Sequence, residues 1–124
     1  MLRLMICGSR TFNDIRYMRE CLDEVLSGVD EVTVISGCAM GADSEGERYA
    51  VRRAFKIERY PADWDRFGEQ AGMICNKEML DKCDAVVAFW DGKSVGTANM
   101  IEIAREAGKL LDVFTFSTDD DYPF

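Results

Sequence analysis

The chain has 124 residues, 48 % hydrophobic and 31 % charged, with 15 Lys and Arg, 23 Asp and Glu, and no histidine. That length and balance exclude a disordered chain and describe one folded domain that buries roughly two-thirds of its unfolded surface. A net charge of −8 leaves little cationic surface to neutralise a nucleic-acid backbone, so general nucleic-acid binding is excluded, while a small phosphorylated ligand held by backbone amides is not.

Five apolar runs bounded by turn residues read as strands, and amphipathic patterns fill the gaps between them. Residues 2–7 form the first run and stop at Gly8. Ile15, Met18, Leu22, Val25 and Leu26 then fall on one helical stripe, with Asn13 or Asp14 to cap it and Gly28 to end it. Residues 32–35 form the second run, and a helix follows over 42–55, where Ser44 and Glu47 have capping-box spacing. Residues 56–60 make a weaker third run that ends at Pro61. The aromatic and polar stretch 61–68 is the longest connection and suits a lid or an interface. A helix over 68–82 carries Ala71, Ile74, Cys75 and Met79 inward. Residues 85–90 form the fourth strand. A helix over 97–107 turns Met100, Ile101, Ile103, Ala104 and Ala107 inward, and residues 110–116 form the last strand.

Four strand–helix alternations closed by a fifth strand give an α/β fold, a doubly wound parallel sheet with helices on both faces. Runs that are nearly all apolar suit strands buried on both sides. The domain spans 1–116, and 117–124 reads as an acidic tail carrying Asp119, Asp120 and Asp121. The five cysteines are odd in number, lack a C-x-x-C pair and have no histidine as co-ligand. They read as small apolar residues of a reducing compartment, with no disulfide framework and no metal site. Residues 1–7 are too short for a signal peptide or a membrane span, so the expected location is the cytoplasm.

In open α/β sheets, ligands bind beyond the carboxyl ends of the strands where strand order reverses. Three loops of this chain should meet there. Gly8, Ser9 and Arg10 follow the first strand and offer a sharp turn, a hydroxyl and a guanidinium fork. Gly37, Gly41, Ala42 and Asp43 follow the second and bring a helix N-terminus close to an anion, with Asp43 as a cap or a partner for a ribose hydroxyl. Asp91, Gly92, Ser94, Gly96 and Thr97 follow the fourth, where Thr97 could cap the helix or bond a phosphate oxygen. Asn76 could add an amide from the third helix. Glu20, Asp23 and Glu24 read as a solvated face. Trp64, Phe67 and Trp90 could stack on a base but suit core or interface packing. Without histidine, no Ser–His or Cys–His nucleophilic pair exists.

These strings together resemble the YspA-like branch of the SLOG superfamily. The resemblance rests on Gly8-Ser9-Arg10-Thr11-Phe12, Ser36-Gly37 through Gly41-Ala42-Asp43, Gly46-Glu47-Arg48-Tyr49-Ala50 and Pro61-Ala62-Asp63-Trp64. It continues in Ala71-Gly72, Asn76 with Met79, Ala88 to Gly92, Ser94, Gly96-Thr97 and Met100-Ile101, so that it covers about residues 4 to 113. It implies a Rossmann-like sheet in the order 3-2-1-4-5, a nucleotide-derived ligand at the loops above, and self-association with Trp64 and Phe67 as candidate interface residues; no cofactor is expected. Its relatives include the lonely-guy phosphoribohydrolases. Cys38 and Met40 stand where the family usually has a glycine and an arginine, and Cys75 where it has an arginine. Met100 stands where those hydrolases carry a glutamate. These departures favour a non-catalytic sensor or sink. The alternatives are a phosphoribohydrolase using Asp91, Asp43 or Glu102 as its acid, and an interaction scaffold without a ligand.

Overall fold

The computed structural model describes residues 1–117, and the acidic stretch Asp119 to Asp121 lies outside them. Five strands, β1 (Leu2–Gly8), β2 (Val32–Ser36), β3 (Lys56–Arg59), β4 (Ala85–Trp90) and β5 (Leu110–Thr115), form one sheet in the order β3-β2-β1-β4-β5. Every pairing is parallel. The helices are α1 (Ile15–Val25), α2 (Ala42–Arg53), α3 (Trp64–Phe67), α4 (Ala71–Lys82) and α5 (Val95–Glu106).

The central strand explains the layering. Alternate side chains of a strand point to opposite faces. Leu4 and Ile6 of β1 therefore enter the core under α1 and α2 with Met18, Leu22, Tyr49 and Ala50. Met5 and Cys7 enter the other core, under α4 and α5, with Met79, Met100 and Ala104. Both faces of β1, β2 and β4 are covered, which is why these runs are almost wholly apolar.

Several local expectations are corrected. The outer strands β3 and β5 are half-exposed rather than buried on both faces, because an edge strand has a neighbour on one side only. Of the two candidate caps of α1, Asp14 is the one that serves, accepting from the Tyr17 amide at 3.0 Å. The capping box of α2 does not form. The helix starts one turn earlier than that motif requires, with Gly41 as its N-cap, and Glu47 instead accepts from the Ser36 hydroxyl at 2.7 Å. Ser94, not Thr97, is the N-cap of α5, and Ala107 sits exposed at its other end. The connection over 61–68 contains α3, whose first turn is tied by the Asp63 carboxylate to the Arg66 amide at 3.1 Å. A 3-10 turn over Gly68–Gln70 joins it to α4. Asp23 is not merely solvated, since it accepts from the Tyr49 hydroxyl and from Arg53, both at 2.7 Å, and so joins α1 to α2. Among the described residues, no helix is long and apolar enough to cross a membrane.

Candidate functional site

The strand order reverses between β1 and β4, so the loops after β1, β2 and β4 converge at one end of the sheet. Ser9 is the knot that holds them together. It is 1 % exposed. Its amide donates to Phe89 O at 2.9 Å, its carbonyl accepts from the Ala42 amide at 3.2 Å, and its hydroxyl accepts from the Asp91 amide at 3.0 Å. With all its groups engaged, Ser9 fixes the loops rather than facing a ligand.

The loop after β2 turns through two left-handed residues, Cys38 at φ 65° and Gly41 at φ 80°. A side chain on Gly41 would strike the carbonyls of Ser9 and Arg10. Asp43 in the first turn of α2 folds back beneath this loop, accepting from the Ala39 amide at 3.2 Å. It is only 7 % exposed. Burial pushes its pKa up to about 6, against the opposing pull of the Ala39 and Gly37 amides and the charge of Arg10. Gly37 is needed for this approach, because a Cβ there would lie 2.8 Å from the Asp43 carboxylate.

The loop after β4 is built on Asp91. Its carboxylate accepts from the amides of Lys93 and Ser94, both at 2.8 Å. Partial burial works against its charged form, yet those two amides and the Ser9 hydroxyl hold its pKa below the usual value. Trp90 closes the loop by donating from Nε1 to Ser94 O at 3.0 Å. Gly92 takes φ 80° at the exposed tip. The hydroxyls of Ser94 and Thr97 lie 3.1 Å apart at the start of α5. The first intrahelical bond at this end is Ala98 N to Ser94 O, so the amides of Val95, Gly96 and Thr97 precede it.

These loops surround a cleft of about 670 Å³. Of the residues singled out from sequence, Gly8, Arg10, Gly37, Asp43, Asn76, Ser94, Gly96 and Thr97 line it. Ser9, Gly41, Ala42, Asp91 and Gly92 do not; the first four brace the loops from behind, and Gly92 sits at an exposed tip. Asn76 of α4 lies 3.5 Å from Gly96 O and spans the gap between the two helices. Sequence reasoning missed the wall made by Pro61, Ala62, Gly72 and Met73, and the floor made by Cys7, Met79 and Met100. The floor residues look like ordinary core in sequence, and so carried no signal. The wall did carry one, in the aromatic connection over 61–68. Trp64 from that stretch is 52 % exposed and lines the cleft. Among the described residues, no cluster of three or more His, Cys, Asp or Glu could hold a metal ion.

A parallel doubly wound sheet with a cleft at its reversal point defines a Rossmann-like α/β protein. The family model of the YspA, cpYpsA-related SLOG family matches residues 2–67, which run from β1 to the end of α3. The chain is also similar to the Gene 61 protein of Mycobacterium phage D29, at 35 % identity over 115 residues, 87 % of this chain and 92 % of that protein. It belongs to the YspA, cpYpsA-related SLOG family. No solved structure matches it.

Proposed function

We propose that the protein binds a nucleotide or nucleotide-derived ligand in this cleft, as a non-catalytic sensor or sink. The observation that carries this reading is the polarity of the cleft. One end holds the first-turn amides of α5, which precede its first intrahelical bond, with the hydroxyls of Ser94 and Thr97, and the helix has no acidic residue in its first turn. That is the electrostatic arrangement for a phosphate. Arg10 adds a cation, and the exposed ring of Trp64 offers a face on which a base could stack. The volume falls in the range of small-molecule sites, roughly 300–1,000 Å³. A scaffold without a ligand would be expected to have filled this space, so an open cleft counts against that reading.

One observation favours a second reading, turnover. Asp43 lines the cleft with a pKa near 6, which suits proton donation near neutral pH. Asp91 is consumed by its own loop, and Glu102 is exposed and does not line the cleft. Asp43 is thus the candidate acid for a phosphoribohydrolase. The proposed compartment is the cytoplasm, where five unpaired thiols stay reduced.

Mass spectrometry of small molecules released by heating the purified protein tests both readings. A co-purified intact nucleotide derivative is the result expected for a binder. Free base with a ribose phosphate would replace that reading with the hydrolase. A protein that releases nothing, and shows no thermal shift with a nucleotide panel at millimolar concentration, would overturn both.

A further inference from the structure

A second concavity of about 720 Å³ lies on the outer side of α2 and meets the cleft at the Cys38–Ala39 peptide, since both residues line both cavities. Its walls carry Arg48 and Arg52 from α2 and Arg59 from the end of β3, against a single lining carboxylate, Glu47. On a chain of net charge −8, three guanidinium groups around one groove, of which Arg59 pairs with Glu47 and Arg48 with Glu45, leave a local surplus of positive charge. The groove is also held in place. Ser36 Oγ accepts from the Cys38 amide at 3.1 Å and donates to Glu47 at 2.7 Å, and Glu47 accepts from Arg59 Nε at 2.8 Å. This chain of bonds runs from the wall shared with the cleft to the guanidinium of Arg59. Arg48 makes a surface contact of 3.2 Å with Glu45, and Arg52 has no ion-pair partner among the described residues.

Resting on the cleft as the nucleotide site, we infer that the ligand is two-ended: a nucleotide with a second anionic group, one nucleoside away from the first, which crosses the Cys38–Ala39 wall into the arginine groove. A mononucleotide would fill the cleft and leave the arginines unused. A 5′-phosphorylated dinucleotide would place one phosphate at the amides of α5 and the other among Arg48, Arg52 and Arg59. Arginine suits this role because its charge is permanent and its fork matches phosphate oxygens.

The test uses isothermal titration of the full chain with the four ribonucleoside 5′-monophosphates and with 5′-phosphorylated dinucleotides made from them. At least one dinucleotide should bind at least tenfold tighter than either of its component monophosphates. In the Arg48→Glu, Arg52→Glu double variant that advantage should vanish while monophosphate affinity stays the same, which also shows that the variant is folded. The milder Arg48→Gln, Arg52→Gln pair should fall between the two. Monophosphate binding with no gain from the second phosphate, or a gain that survives charge reversal, overturns the two-ended ligand and leaves the cleft reading standing. Binding of neither class at millimolar concentration overturns the cleft reading and this one with it.

Discussion

Two helix N-termini face the same end of the sheet, and they differ in what they still have to give. At α2 the first turn already contains Asp43 and Glu45, and the Ala42 amide is spent on Ser9 O. Its positive end is answered from within the chain. At α5 the first turn contains no acid, Gly96 has open space where a side chain would be, and Ser94 and Thr97 point hydroxyls at each other. Its positive end is left for something else. Glycine-rich sequence accompanies both, so the glycines alone do not mark an anion site. At α2 they permit loops to pack closely, and at α5 they keep a surface bare.

The largest expected effect comes from breaking the closed end. Gly41→Val puts a β-branched side chain at φ 80°, against the carbonyls of Ser9 and Arg10. Strain and collision together should cost on the order of 4 kcal/mol or more. Urea denaturation should show a protein that is largely unfolded or has lost most of its stability. A loss below about 1 kcal/mol would mean that the loops after β1 and β2 are not locked as described.

Next in size is the buried acid of the closed end. The carboxyl of Asp43 has its pKa raised from 3.8 to about 6 in the folded protein. The folded state therefore holds that proton more tightly than the unfolded chain does. The resulting stability is fully present below about pH 4 and is lost as pH rises through 6, a change of about 3 kcal/mol. Glu58 works in a different window. The guanidinium of Arg3 and the Tyr60 hydroxyl hold its pKa down to about 2, so its contribution disappears only as pH falls below the ordinary carboxylate range. Asp43→Asn should remove the decline between pH 4 and 6 while leaving the acid limb unchanged, as read by denaturant titrations at each pH. An unchanged decline would assign the titration to another group.

How much of this contrast could be read from the sequence depends on whether an interaction is local. The sheet was legible because β1, β2 and β4 are buried on both faces, and that burial requires continuous apolar runs such as residues 4–7 and 85–89. The weakness of residues 56–60 as an apolar run matches the edge position of β3. The loops were legible as a set, and seven of their chosen residues line the cleft together with Asn76 of α4. What stayed hidden was which polar groups had already found partners. Ser9 and Asp91 are 82 positions apart, and nothing in either neighbourhood announces their bond. Ser44 and Glu47 had the right spacing to cap α2, but the Ser36 hydroxyl and Arg59, both outside the helix, took the glutamate. The arginine groove was hidden for the same reason, since Arg59 joins Arg48 and Arg52 only through the placement of β3 beside β2.

The open end is sharpened by Gly96→Val. A Cβ there would meet open space, and Gly96 lines the cleft, so a valine side chain would compete with the phosphate proposed to sit against it. Affinity for whatever ligand co-purifies should fall about 100-fold, near 2.7 kcal/mol, with little change in melting temperature. Retained affinity would place the anion elsewhere. Gly96→Ala is the smallest and most discriminating change. Replacing glycine by alanine within a helix stabilises it by up to about 1 kcal/mol, since the unfolded chain has less freedom to lose. The methyl group also covers part of the bare surface. The free protein should therefore melt a few degrees higher while its ligand binds more weakly. If Gly96 serves the fold rather than a ligand, the same substitution would lower stability and leave affinity unchanged. The two roles thus predict opposite signs from one methyl group.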